Sequence, residues 1–480
     1  MDMDNQNYNK PILKNARKRT KNETSVLDYV PTAFDSLLGE GKLYCIQTHG
    51  CQANVADSEK IKGLLESQGF VETNIEEIAD LIIINTCAIR ENAEKKVFGE
   101  LGRYKSMKLK KPELIVAVGG CMPQEEVVVE KLLKTYKQVD IIFGTHNLHK
   151  LLDYLQVAIK EKRRVVEVLS VEGEIVEDLP SARDSRFKAW VNIMFGCDEF
   201  CTYCIVPYTR GKERSRHPEH ILSEVQSLID QGYKEITLLG QNVNSYGLDF
   251  ESREYRFSDL LNDLHKMDIP RIRFTTSHPK DFSTEIIDVL SLGGNLMPYI
   301  HLPVQSGSNK ILKAMNRKYT KESYLKTVQE IRDKIPSISL TTDIIVGFPG
   351  ETEEDFIETL DLVEKAGFEG AYTFVFSPRS GTPAANFDDS TPNEEKKKRL
   401  YRLNKIVNEG FKNGNLRFLD QMVEVLVEGP SKTNPNMLSG YTKHNKLVHF
   451  KGDSKLIGSL TSLQIVEAKT WSLTGEEYHG

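Results

Sequence analysis

The chain has 480 residues, 39% of them hydrophobic and 28% charged, and a formal net charge of −6. That length exceeds one ordinary core and predicts roughly two to four domains, while the acidic balance excludes nucleic-acid binding by bulk charge and leaves only local basic patches for it. No apolar run reaches the length of a membrane span and MDMDNQNYNK lacks the apolar stretch of a secretory signal, so a cytoplasmic protein with no membrane partner is expected, in which seven cysteines serve metal or redox chemistry rather than disulfides.

Residues 1–40 are polar, with a basic run at Lys14, Arg17, Lys18, Arg19 and Lys21, and read as a disordered basic arm. From 41 to 157 short apolar runs near 43–47, 81–85 and 114–118 alternate with helical patterns, which predicts an open parallel α/β sheet. A cysteine follows each run: Cys51 in THGCQAN, Cys87 in NTCAIR and Cys121 in GGCMP. Ligands of such sheets bind past the carboxyl ends of the strands, so these three thiols are expected to share one site. Cys45 lies inside its run and is expected in the core. Residues 158–185 read as a charged linker with a strand near 165–169.

The alternation resumes over 186–414, with strands expected near 191–195, 235–239, 271–275, 299–302, 339–345 and 371–376. Six β/α units in series predict a partial (β/α)6 barrel, whose functional rim lies past the strand ends. Cys197, Cys201 and Cys204, in FGCDEFCTYC, follow the first strand and fall on that rim. Thr352 with Asp355 predicts a capping box, and a helix over 392–413 is expected with Thr391 as its cap. Residues 415–480 are strand-rich and predict a small C-terminal OB-like β-barrel. Its basic stretch includes Lys443 and Lys446 with Tyr441 and Phe450 interleaved, a pattern suited to single-stranded nucleic acid.

Three thiolates at short spacing leave one metal position for a non-protein ligand. An iron–sulfur cluster is the favoured reading for both cysteine trios. Zinc is the alternative, with His217 as a fourth ligand for the second trio.

CDEFCTYC resembles the C-x3-C-x2-C signature of radical S-adenosylmethionine (SAM) enzymes. Together with THGCQANVADSE, CTYCIVPYTRGKERSR, LLGQNVNSYG, TTSHP, HLPVQSGS, DIIVGFPGET and FSPRSGTPAA, it resembles the methylthiotransferase family from about Gly41 onward, and the final segment resembles its TRAM module. Ala53 and Ser380 depart from the family's usual Met and Pro; neither is a proposed ligand. The resemblance implies a 4Fe–4S cluster on Cys197, Cys201 and Cys204 that binds SAM and cleaves it to a deoxyadenosyl radical. It also implies a second 4Fe–4S cluster on Cys51, Cys87 and Cys121 that carries the sulfur, with both clusters opening onto one cavity.

The substrate implied is a tRNA anticodon stem-loop bearing N6-isopentenyladenosine, which gains a methylthio group at carbon 2 of the adenine. A reducing partner such as flavodoxin or ferredoxin, a sulfur donor and a monomeric state are expected with it. Gln241, Ser277, Gln305 and Asp343, placed by strand ends, are the expected SAM contacts. Arg210, Lys212, Arg214 and Arg216 alternate as in an exposed extended segment and are expected, with Lys443 and Lys446, to meet RNA phosphates. Two other substrates fit the same architecture: threonylcarbamoyl-adenosine in tRNA and a ribosomal protein. From another class, a non-catalytic zinc-containing RNA-binding protein is the rival reading.

Overall fold

The computed structural model describes residues 24–88, 91–168, 174–252 and 254–477; the basic run of the leading arm lies outside them. The chain forms two compact units and passes between them repeatedly. The first runs up to Asp184 and also takes in Met194–Phe200 and Cys204–Arg216; the second holds Ser185–Ile193, Cys201–Tyr203 and His217 onward.

In the first unit six parallel strands form one sheet, in the order Val71–Glu72, Leu43–Thr48, Leu81–Thr86, Ile115–Gly120, Ile141–Phe143 and Val165–Glu167. Leu81–Thr86 is buried at every residue, as a strand covered on both faces should be, which is why LIII reads as a continuous apolar run rather than an alternating one. Successive side chains alternate between two cores. Ile82, Ile84, Val116 and Val118 pack with Val97, Leu101 and Tyr104, whereas Leu81, Ile83 and Ala117 pack with Ile61, Leu64, Leu65, Leu151 and Leu155. Each such aliphatic side chain contributes about 1.5–3 kcal/mol by leaving water. Cys45 joins the first core, and burial pushes its thiol up to about 11.

The arm and linker depart from expectation. Ser25–Asp28 is a strand, paired in parallel with Glu174–Glu177, and the strand expected near 165–169 is the sheet's edge at Val165–Glu167. The apolar run before the cysteine loop is also two strands rather than one. Lys188–Asn192 belongs to the second unit, while Met194–Phe195 pairs antiparallel with Arg214–Ser215 in the first.

In the second unit Lys188–Asn192, Glu235–Leu239 and Arg271–Phe274 form one parallel sheet, and Tyr299–His301, Ser339–Val346 and Ala371–Val375 a second. A parallel bridge between Ile272 and Leu296, with the Met297 N–H donating to Ile272 O at 2.9 Å, joins the two series. The six strands therefore follow chain order, as in a partial (β/α) barrel. The capping box of Thr352 and Asp355 starts helix Glu353–Ala366. Helix Asn393–Leu416 is capped at Pro392, not Thr391, and without a side-chain bond.

Five strands then close a small barrel: Met422–Pro430, Leu438–Thr442, Leu447–Phe450, Leu473–Glu477 and Leu460–Ala468, in that spatial order. Leu447–Phe450 and Leu473–Glu477 pair in parallel, the others antiparallel. Charge fastens this barrel to the sheet. Arg271, wholly buried, donates to Tyr441 O at 2.8 Å and Glu424 O at 3.0 Å, and Lys188 meets Glu428 at 2.6 Å.

Candidate metal centres

Cys51, Cys87 and Cys121 stand past the ends of Leu43–Thr48, Leu81–Thr86 and Ile115–Gly120, three adjacent strands of one sheet. The Cys121 N–H donates to Thr86 O at 2.9 Å, and the site a Cβ would take on Gly50 lies 2.8 Å from Cys87 Cβ. Gly120 (φ +97°) precedes Cys121, where a side chain would come within 2.5 Å of Thr86 O; the close approach of these strand ends requires glycine.

An amide clasp fixes the loops. Asn54, buried on the first turn of helix Gln52–Ser67, accepts from the Cys51 thiol at 3.4 Å and donates to Thr86 O at 3.0 Å. Asn85 donates to Asn54 O at 2.8 Å and to Ser58 Oγ at 2.9 Å. The first two cysteine loops are thus tied through polar side chains, and Thr86 Oγ1 donates to Gly119 O at 2.7 Å on the strand that leads to Cys121. THGCQAN and NTC carry these asparagines in the sequence, but their role is visible only once the strands are side by side.

The segment Cys204–Arg216 corrects the expectation of an exposed extended stretch. Arg210, Lys212, Arg214 and Arg216 are only 7%, 8%, 5% and 7% exposed. Arg210 Nε donates to Cys121 Sγ at 3.2 Å, and its Nη2 meets Asp57 Oδ2 at 2.6 Å. Arg214 donates to Glu174 O and Arg210 O, and Arg216 grips Glu177 through Nε at 2.8 Å and Nη2 at 2.5 Å. Cys121 packs with Ala88, Phe200, Ile205 and Tyr208, so both flanks of the second cysteine loop belong to the unit that holds the first trio. Burial pushes the Cys121 thiol up to about 12, with Arg210 opposing. Gly196 (φ +77°), just before Cys197, passes so close to the returning strand that a Cβ would lie 1.8 Å from Lys212 O.

In the second unit Cys201 Sγ accepts from Arg317 Nη1 at 3.3 Å. Arg317 also donates to Pro303 O at 2.9 Å and Tyr319 Oη at 2.7 Å. Thr202 anchors to Met315 O and Ala314 O, and its own carbonyl accepts from Ala384 N–H. Nothing in MNRKY signals the part Arg317 plays. His217 caps helix Pro218–Asp230 and stacks on Phe250 at 5.5 Å.

The expected SAM contacts lie in this unit. Ser277 and Gln305 are buried, and Gln241 and Asp343 half-buried. Asp343 is not past a strand end: it sits inside Ser339–Val346, 3.4 Å from His301 Nε2. Thr276 (φ +69°) and Gln305 (φ +70°) hold the left-handed conformation, uncommon for such residues and characteristic of functional loops. Beside them three buried polar atoms have no protein partner: Ser277 Oγ, Asn244 Nδ2 and His278 Nε2. His278 Nδ1 accepts from Lys280 N–H at 3.3 Å, which leaves the proton on Nε2. Burial, followed by Arg317, pushes His278 down to about 2, so this imidazole is neutral.

Of the proposed RNA contacts in the small barrel, Lys446 is buried against Glu369 at 2.8 Å, and Lys443, one-third exposed, donates to Gly294 O. Lys451 and Lys455 are exposed. Among the described residues no three His, Cys, Asp or Glu side chains are gathered closely enough for a single metal ion. A zinc site needs its thiolates drawn to about 2.3 Å from one point, whereas a cube spreads its ligands over separate irons.

Three family models match: the Radical SAM superfamily over residues 191–363, uncharacterized protein family UPF0004 over 43–144, and the TRAM domain over 417–476. The fold is similar to that of the radical S-adenosylmethionine methyltransferase TsrM from Kitasatospora setae, with TM-score 0.52 and 16% identity over 72% of this chain and 75% of that one. Proteins named tRNA-2-methylthio-N(6)-dimethylallyladenosine synthase from Oceanobacillus iheyensis and Geobacillus kaustophilus are 56% and 57% identical over 97% of this chain, covering 90% and 88% of their own lengths. One from Bacillus mycoides is 56% identical over 98% of this chain and 92% of its own. The chain therefore belongs to the tRNA-2-methylthio-N(6)-dimethylallyladenosine synthase family of the radical SAM superfamily.

Proposed function

We propose that this chain is the radical SAM methylthiotransferase that converts N6-isopentenyladenosine beside the tRNA anticodon to its 2-methylthio derivative. The observation that carries this reading is the placement of Cys51, Cys87 and Cys121 at three neighbouring strand ends, in the same unit as Cys197 and Cys204. The relatives' names point to the isopentenylated (dimethylallyl) adenosine, and nothing favours threonylcarbamoyl-adenosine, a ribosomal protein or a zinc protein.

When bound, two 4Fe–4S clusters and SAM supply the electron, radical and sulfur that substitution at an aromatic C–H demands and side chains lack. The residues present fit both. Cys197, Cys201 and Cys204 would hold one cluster and Cys51, Cys87 and Cys121 the other. Ser277 Oγ, Asn244 Nδ2 and the Nε2–H of His278 are unpartnered, and a polar cofactor at the barrel rim satisfies them. Gln241, Gln305 and Asp343 complete the SAM-binding set. The Asn54–Asn85 clasp ties the loop of Cys51 to the strand end that carries Cys87.

The target adenine enters unstacked from a single-stranded loop. With Arg210, Lys212, Arg214, Arg216 and Lys446 buried, phosphate binding falls to Lys443, Lys451 and Lys455 of the small barrel. Among the described residues no helix is long and apolar enough to cross a membrane. A flavodoxin or ferredoxin reductant, a separate sulfur donor, a monomeric state and a cytoplasmic location complete the proposal.

The test is anaerobic incubation of the cluster-loaded protein with SAM, dithionite and tRNA with or without the isopentenyl group, read by nucleoside mass spectrometry. The 2-methylthio-isopentenyl nucleoside should appear only from isopentenylated tRNA. Its absence with cluster-replete protein overturns the reading.

A further inference from the structure

In each cysteine trio a buried guanidinium donates to a sulfur, and the two guanidiniums differ in how their charge is balanced. Arg210 donates to Cys121 Sγ at 3.2 Å, and Asp57 neutralises it at 2.6 Å. Arg317 donates to Cys201 Sγ at 3.3 Å, and its other donors go to neutral oxygens, Pro303 O and Tyr319 Oη. Among the described residues no carboxylate pairs with Arg317. Neither arginine is free to move away, since each is held by anchors beyond its sulfur.

An iron–sulfur cluster gains a negative charge on reduction, so net charge and hydrogen bonds at its sulfurs set its potential. A cation bonded to a ligand sulfur stabilises the reduced form. In a buried site this effect is weakly screened, and a neighbouring carboxylate offsets most of it. Resting on the two-cluster reading above, we propose that Arg210 and Arg317 are positioning residues that tune the two clusters unequally. Arg317, unbalanced, raises the reduction potential of the Cys197, Cys201 and Cys204 cluster. The Arg210–Asp57 pair leaves the Cys51, Cys87 and Cys121 cluster nearer its unassisted value. The contrast favours an incoming electron on the cluster at the barrel rim, and both arginines act through a thiolate rather than on the substrate.

The experiment is a dithionite titration of the full-length, cluster-loaded chain followed by electron paramagnetic resonance. Each cluster is observed separately by changing the other trio to Ala. Arg317→Met should shift the reduced-to-oxidised ratio of the rim cluster at fixed poise at least tenfold toward oxidised, which is 59 mV for one electron. Arg317→Lys, which keeps the charge, should shift it less. At the other cluster Arg210→Met should shift the ratio toward oxidised and Asp57→Asn toward reduced, whereas the double variant Arg210→Met/Asp57→Asn, which removes both charges of the pair, should shift it less than Arg317→Met shifts the rim cluster. A merely structural role does not produce opposite signs from the two members of one ion pair.

Where Arg317→Met fails to hold its irons, Arg317→Lys and the Arg210 and Asp57 variants carry the measurement. Unchanged ratios in the cluster-replete Arg317 variants, or shifts of one sign from Arg210→Met and Asp57→Asn, overturn the proposal. Wild-type protein that binds no iron at all would instead overturn the functional reading, and an iron assay separates the two outcomes.

Discussion

Replacing Arg271 by methionine tests whether one buried cation fastens the small barrel to the parallel sheet of the same unit. Arg271 is 0% exposed and reaches Tyr441 O at 2.8 Å, Glu424 O at 3.0 Å and Glu424 Oε1 at 3.0 Å. Its loss leaves two part-buried carbonyls without this donor and removes a neighbour from Glu235, which is itself buried and retains Lys188 at 3.7 Å and Arg273 at 3.4 Å. Methionine refills most of the volume, so the cost is electrostatic rather than a cavity. Losing a charged hydrogen-bond donor costs about 1.5–3 kcal/mol, which corresponds to a rise of roughly one to two orders of magnitude in local opening at about 1.4 kcal/mol per decade. Native-state hydrogen exchange of the Val427 amide, bonded to Ser459 O at 3.0 Å, reports that opening. Glu424→Gln is the control, because its side chain is 38% exposed and the pair at that end contributes no more than about 1 kcal/mol. An Arg271→Met effect below tenfold, or equal to that of Glu424→Gln, would refute the fastening role.

Three further outcomes can be measured. Asn85→Leu removes the donor to Asn54 O and Ser58 Oγ and should reduce iron from about eight to about four per chain by loss of the first-unit cluster; full iron content would show the clasp to be dispensable. Lys451→Ala with Lys455→Ala should flatten the salt dependence of tRNA binding by roughly 1.4–1.8 in the log–log slope, about 0.7–0.9 for each phosphate no longer neutralised, and an unchanged slope would move the RNA interface elsewhere. His444, packed on Phe418 at 5.0 Å, is pushed down to about 4 by burial, with Arg417 and Lys446 adding to the shift. Below the unfolded value of about 6.5 the unfolded chain takes up a proton that the folded one refuses. Stability should therefore fall as pH drops from about 6.5 toward about 4 and stay level in this respect above that window; His444→Gln should remove that component in thermal melts across pH.

Where the sequence spoke clearly, one residue type filled a whole environment. LIII at Leu81–Ile84 has both faces buried, and its six-residue strand ends one position before Cys87, so the cysteine's place was legible without coordinates. The alternating cations after Cys204 were misread because period two fits an exposed strand as well as a buried segment with remote partners. Those partners, Asp57, Glu174 and Glu177, lie more than thirty residues away along the chain, and no local pattern announces them. The expected strand near 191–195 broke in two for a related reason: the run is apolar but for Asn192, and only its pairing partners, Glu235–Leu239 for one half and Arg214–Ser215 for the other, divide it. Arg317 and the orphaned Asn244 escaped notice because a role set by distance to sulfur, or by the lack of a partner, leaves no trace in spacing.

The repeated passage of the chain between its two units also bears on how such proteins can be cut and recombined. A fragment beginning at Ser185 would keep all six parallel strands and every rim cysteine, yet it would strip Arg210 of Asp57 and Arg216 of Glu177. The cysteine loop is a seam stitched into both pieces of cloth. A chimera that borrows the barrel of a relative must therefore bring, from the donor's amino-terminal half, the acidic residues that receive its arginines.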